Sequence, residues 1–216
     1  MQDQQSQPAS NHVALPKDTY ASFAKLKVVD VEGRDYRIRI RKTKGSRAAV
    51  IAPHGGGIEP GTSRIARLVA GEDLGFYLFE GIKNGGGNAV LHVTSHNFDE
   101  PSCLNVIKSA TVVVAIHGCS GPSRVCIGGL DSILKGILMD ELIAVSLPAA
   151  MDCPDFMAAH PMNICNRGSI KAGAQLEISP DLRRKPYCCA IAAAARVAVK
   201  RRIALLAKFT ASPWPT

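Results

Sequence analysis

The 216-residue chain holds no run of about 18 apolar residues, so a transmembrane helix is excluded by its pattern. Its opening, M-Q-D-Q-Q-S-Q-P-A-S-N, is polar and no apolar core follows it, which is not how a secretory signal reads. The seven cysteines (103, 119, 126, 153, 165, 188 and 189) contain no C-x-x-C pair. Without a signal peptide they are expected to be mostly small buried hydrophobes rather than a disulfide framework. There is no G-x-S-x-G nucleophile elbow, no H-E-x-x-H helix, no internal repeat and no recognised nucleic-acid motif. The H-G-G-G at His54–Gly57 matches an esterase oxyanion-hole motif, but without the elbow that reading lacks its nucleophile.

What remains is a chain of single-domain size, 46% hydrophobic, with a formal net charge of +8. That charge attracts polyanions but leaves nucleic acid, an acidic membrane surface and an acidic polymer open, with plain solubility as the simplest account. Residues 1–17 read as a flexible lead, 18–209 as one catalytic domain and 210–216 as a tail. A short helix is expected from Asp18, with Asp18 or Thr19 as its cap. Y-R-I-R-I-R-K alternates Tyr36, Ile38 and Ile40 with Arg37, Arg39 and Arg41, a strand whose charged face is solvated. Short apolar strands at 48–53, 76–79, 111–116 and 174–178 then alternate with helical patterns at 63–70, 103–110, 131–144 and 187–208. This alternation predicts an α/β fold with a mostly parallel or mixed central sheet flanked by helices. The glycines at 85–87 lack the strand-then-helix context of a phosphate loop and read as a turn.

The chemistry-bearing residues sit just past apolar strands. A-V-I-A-P-H-G-G-G-I-E puts His54 at one strand end with Glu59 close behind; T-V-V-V-A-I-H-G puts His117 at a second; A-Q-L-E-I puts Glu177 near a third. Ligands of open α/β sheets bind at the carboxyl ends of strands. Two histidines and a carboxylate match the ligand set of catalytic zinc, and a further free carboxylate is what a general base requires. A single histidine at a strand end is more often structural; the combination carries the reading. His92 and His96 have the spacing of helical metal ligands, but V-T-S between them is a poor helix, so they are read as lining the site or supporting it. Arg167, in C-N-R-G, is suited to carboxylate recognition, although a surface arginine is the plainer account.

The segments P-H-G-G-G-I-E-P-G-T, L-H-V-T-S-H-N-F-D-E-P, H-G, G-G-L, N-R-G and Q-L-E-I-S, in this order from about Asp18 to Arg184, resemble the poly-γ-glutamate hydrolase family of bacteriophages and bacilli. The resemblance implies a zinc-carboxypeptidase-like fold and hydrolysis of γ-amide bonds with one zinc ion. It implies His54, Glu59 and His117 as zinc ligands, Glu177 as the catalytic glutamate, and Asn166 with Arg167 as the pair that holds a substrate carboxylate. Arg183 and Arg184 follow L-E-I-S as paired arginines do in related members, and join Arg167 as expected substrate contacts beside His92 and His96. His-x4-Glu is longer than the His-x-x-Glu of ordinary carboxypeptidases, and their auxiliary tyrosine has no match, which leaves the proton donor to the leaving amine open.

The expected partner is therefore a polyanionic polymer, acted on by a monomer, with neither nucleic acid nor membrane involved. Synthesis in the cytoplasm is expected, with release on host lysis as the route to an extracellular capsule. Two alternatives stand beside it: a basic nucleic-acid-binding protein, resting on the charge and the Arg37/Arg39/Arg41 strand, and the same fold acting on γ-glutamyl peptides of peptidoglycan.

Overall fold

The computed structural model describes residues 18–151 and 153–211. The lead expected at 1–17 lies outside the described residues, as does the tail from 212 onward. In chain order the elements are α1 (Phe23–Leu26), β1 (Tyr36–Arg41), β2 (Ala48–Gly56), α2 (Thr62–Ala70), β3 (Gly75–Gly81), α3 (Pro101–Ile107), β4 (Val112–Gly118), β5 (Val125–Gly128), α4 (Ser132–Ala144), β6 (Ala149–Ala150), β7 (Ala174–Ile178) and α5 (Tyr187–Ala211). Short 3-10 turns at Asn88–Leu91, Pro154–Phe156 and Ile164–Arg167 complete the set.

One seven-stranded mixed sheet has the order β1-β3-β2-β4-β7-β5-β6. Strands β3, β2, β4 and β7 run parallel to one another, whereas β1 and β5 pair antiparallel to β3 and β7. The central strands are apolar on both faces because both are covered, as parallel strands require. Their alternation divides the interior in two. Val50, Val112, Val114, Ile116, Leu176 and Ile178 face a core shared with Ile65 and Val69 of α2, Leu134 and Leu138 of α4, and Ile191 and Ala195 of α5. Ala49, Ile51, Val113 and Ala115 face a second core with Phe23 and Leu26 of α1, Val106 and Ile107 of α3, and the loop residues Leu91, Val93 and Phe98.

The helix α4 begins where its sequence says it should: Asp131 caps it, accepting a hydrogen bond from Leu134 N at 3.0 Å. The other Asp131 oxygen takes Arg202 Nε of α5 at 2.9 Å, and this ion pair is almost fully buried. Asp131→Ala strands the Arg202 charge in the interior and removes the cap. We expect it to cost about 3–5 kcal/mol in denaturant unfolding, the size typical of breaking a buried pair. A loss within that of an exposed pair would mean that Arg202 reaches solvent.

Several expectations are corrected here. The first helix is only Phe23–Leu26 and its cap is Ser22, because Asp18 is engaged elsewhere, with His92 and Thr94. Cys126 and Cys153 form a disulfide, which residues separated by 27 positions do not announce in sequence; Cys103, Cys119, Cys165 and Cys188 are buried thiols as expected. Strands β5 and β6, four and two residues long, carry too few residues to show a period. The arginines of β1 are not a free cationic face: Arg37 and Arg39 both pair with Glu80, at 2.8 and 3.1 Å, and Arg41 stacks over Phe76. Among the described residues no helix is long and apolar enough to cross a membrane.

Candidate functional site

Parallel pairing of β2, β4 and β7 brings His54, His117 and Glu177 to the same edge of the sheet, and β4 and β7 align His117 directly with Glu177. The two sit on the same face as Val113, Ala115 and Gln175, opposite the α2/α4/α5 core. Simple alternation from Val50 and Ala52 would send His54 to the other face. A register shift between Ala52 and Gly55 inserts one residue into β2 against β3 and turns His54 round. Bulges re-aim side chains in this way beside active sites. His54 then stands 4.9 Å from His117 and 3.9 Å from His92, measured between ring centroids.

His54 Nε2 lies 2.8 Å from the Val93 carbonyl, which can only accept, so this nitrogen donates and the neutral ring keeps its lone pair on Nδ1. That Nδ1 is 3.1 Å from His117 Nδ1 and 3.1 Å from Glu59 Oε1; the second Glu59 oxygen is 3.9 Å from His117 Nδ1 and accepts from Gly118 N at 2.7 Å. His117 Nε2 meets Ser95 Oγ at 3.3 Å. Ring nitrogens and a carboxylate facing one another at these separations are bridged either by a ring N–H proton or by a metal ion. Nitrogen and oxygen ligands about 2.0–2.1 Å from a tetrahedral ion lie about 3.3 Å apart, so the set fits a metal of that kind. His92 offers an alternative corner. It donates Nδ1–H to Asp18 at 2.6 Å, which leaves the Nε2 lone pair 3.8 Å from Glu59 Oε1, and donor atoms of His54, Glu59 and His92 all lie within 4.8 Å of one another.

Electrostatics separates the members of the site. Burial and the neighbouring His54 push the His117 pKa down to about 3, so this ring is neutral at any ordinary pH. Burial opposes charge on His54 and on Glu59, yet their mutual attraction prevails: His54 is raised and Glu59 lowered. Glu177, 9% exposed, is raised well above the ordinary carboxylate range, first by burial and then by the Glu59 charge, with Arg183 opposing. Two carboxylates of one site are thus driven apart, the pattern of a charged ligand beside a proton-transferring group.

Gln175, which the sequence reading passed over, donates to Glu177 Oε1 at 3.2 Å and is itself held by Asn163 and the Phe156 carbonyl, both at 3.3 Å. Its place two residues before Glu177 on one strand was the available signal. Asp18 had none, since its contacts with His92 and Thr94 span 74 and 76 residues. Arg183 lies against Gly118, where any Cβ would strike its guanidinium; its Nη1 donates to Pro60 O at 3.1 Å and its buried Nε has no partner among the described residues.

The remaining expected contacts make no hydrogen bond to this cluster among the described residues. Asn166, 1% exposed, spends its side chain internally: its amide donates to Ala158 O and His160 O and its oxygen accepts from Leu130 N and Gly173 N. Arg167 donates to Phe98 O at 2.9 Å, tethering the loop that carries His92. His96 is exposed and sits 5.3 Å from His160, and Arg184 is exposed.

A family model described as poly-gamma-glutamate hydrolase matches residues 20–196. The protein YndL of Bacillus subtilis (strain 168) is 37% identical over 175 residues, 79% of this chain and 68% of its own length. YoqZ, derived from the SPbeta prophage of the same organism, is 34% identical over 80% of this chain and 63% of its own. A solved bacteriophage poly-gamma-glutamate hydrolase superposes with a TM-score of 0.83 at 29% identity, covering 88% of this chain and 100% of that one. A zinc-free structure of YndL superposes with a TM-score of 0.78 at 31% identity, covering 86% and 99%.

Proposed function

Because the chain belongs to the poly-gamma-glutamate hydrolase family, we propose that it cleaves the γ-amide bonds of poly-γ-glutamate, using one zinc ion held by His54, Glu59 and His117 and Glu177 as general base. The observation that carries the reading is the meeting of His54 Nδ1, His117 Nδ1 and Glu59 within 3.1–3.9 Å, beside a carboxylate of raised proton affinity. That a relative was solved in a zinc-free form supports zinc as the metal.

When bound, zinc supplies Lewis acidity, acidifying water and drawing charge from a carbonyl oxygen. Every other task falls to the chain's own groups. The Val93 carbonyl fixes the His54 tautomer so that Nδ1 faces the site. Gln175 holds Glu177 Oε1, which leaves Oε2 to take a proton from the attacking water and to return it to the leaving amine. A buried carboxylate with raised pKa supports its use as the proton donor to the leaving amine, in place of the tyrosine of ordinary carboxypeptidases. Arg183, whose charge acts on Glu177, grips through its Nη donors the free α-carboxylate that each γ-linked residue displays. Arg167 and Asn166 serve by shaping the wall: one ties down the Phe98 loop and the other closes the turn around 158–173.

A second ligand set, His54, Glu59 and His92, is favoured by one observation, the Asp18 carboxylate that orients His92 as outer partners orient metal-bound histidines. The overall reading is tested by metal analysis together with polymer sizing. Protein with one zinc per chain is expected to shorten poly-γ-glutamate, and stripping the metal to stop it. Full-length polymer after incubation with zinc-loaded protein rejects the substrate; undiminished cleavage without metal rejects the zinc.

A further inference from the structure

The exposed face of α2 carries Arg64, Arg67, Leu68 and, one residue past its end, Gly71, at the i, i+3, i+4, i+7 positions that form a single stripe. Neither Arg64 nor Arg67 has a hydrogen-bond or ion-pair partner among the described residues. Together with Arg41, Glu72 and Phe76 they line an open trough of about 700 Å³. At its floor the Arg41 guanidinium lies 4.8 Å over the Phe76 ring and bonds the Gly71 and Leu74 carbonyls, so this cation is held in one orientation. Acidic groups nearby do little to cancel the charge. Glu72, itself fully exposed, pairs with Arg41 at 3.3 Å and not with Arg64 or Arg67, and Asp73 is occupied by Arg196 and Lys200.

The stripe begins at the catalytic edge. Thr62, the first residue of α2, donates its hydroxyl to the Glu59 carbonyl at 2.9 Å, and Gly61 packs against Arg183. Nine helical residues then carry the row about 14 Å away from the site.

We propose that this arginine stripe is a binding track for a distal part of the poly-γ-glutamate chain, which makes the enzyme prefer long polymers. The proposal rests on the functional reading above. Each γ-linked residue has five backbone bonds where an ordinary peptide residue has three, so successive α-carboxylates on an extended chain stand about 6 Å apart. Helix residues three apart have Cβ atoms about 5–6 Å from each other. Arg64 and Arg67 therefore match the polymer in sign, and their long, flexible side chains reach carboxylates about 6 Å apart along it, while Arg41, held by the Gly71 and Leu74 carbonyls and paired with Glu72, adds only to the field at the end of the row.

The test is the double substitution Arg64→Gln/Arg67→Gln, on exposed positions outside the catalytic cluster, assayed on long polymer and on a γ-linked dimer, whose about 6 Å reach is too short to span site and track. KM for the polymer is expected to rise about three- to tenfold, the effect of losing two exposed ion pairs, with kcat and the dimer KM unchanged. The salt dependence of the polymer KM is expected to weaken as well. An unchanged polymer KM overturns the track, whether or not the variant also loses affinity for duplex DNA. An equal rise on both substrates also overturns it, since the arginines would then act at the site itself. Wild-type enzyme inert on both substrates overturns the functional reading, and the track with it.

Discussion

Glu177→Gln is expected to lower kcat on poly-γ-glutamate about a thousandfold while leaving zinc content at one ion per chain. The substitution keeps size and shape, and an amide oxygen in place of Oε1 still accepts from Gln175 Nε2. It removes a carboxylate that burial and Glu59 already disfavour as a charge, so folding loses nothing by it. Only the capacity to take and return a proton disappears, and general acid–base catalysis contributes about 10²–10⁴-fold in well-characterised enzymes. A variant within a few-fold of wild type would falsify the assignment and move the search for the base to another group on this edge. Loss of zinc in the variant would instead make Glu177 a ligand, which its alignment with His117 across β4 and β7 does not by itself prevent.

The second large effect separates the two possible ligand sets. His117→Ala is expected to weaken zinc binding by more than about a hundredfold, because even the outer partners of metal ligands carry about 10–100-fold. His92→Ala is expected to stay within that outer-partner range and to retain zinc at saturating metal. The two rings are equally far from Glu59, at 3.9 and 3.8 Å, and what separates them is the 3.1 Å approach of His117 Nδ1 to His54 Nδ1. Zinc content measured for both variants, each checked by thermal melting because His117 is buried, decides the matter. If His117→Ala holds zinc and His92→Ala does not, the ligand set becomes His54, Glu59 and His92.

Much of the site was legible because it obeys local rules. A β-branched apolar run followed by His-Gly says both that a strand is buried on two faces and that something polar waits at its end; β4 with His117 shows this most clearly. The Asp131 cap and the 25-residue α5 are likewise written in nearby residues. Asn166 illustrates the limit. The family resemblance implies a substrate contact for it, and only the fold shows that its side chain bonds the backbone at 130, 158, 160 and 173.

The sequence alone determined that alternating strands and helices build an α/β sheet, that two histidines and two glutamates gather near its strand ends, and which family's order of motifs the chain follows. Periodicity, caps and motif order are properties of residues a few positions apart, so they survive in one dimension. Tertiary structure decided the rest. The bulge in β2 turned His54 towards His117, the Cys126–Cys153 disulfide joined segments with no shared pattern, and Asp18 reached His92 across 74 residues. It also decided which cations are free. Arg37 and Arg39 share the single Glu80 carboxylate while Arg64 and Arg67 have no such partner among the described residues, because pairing of charges depends on which strand or helix lies alongside, and no local pattern records that.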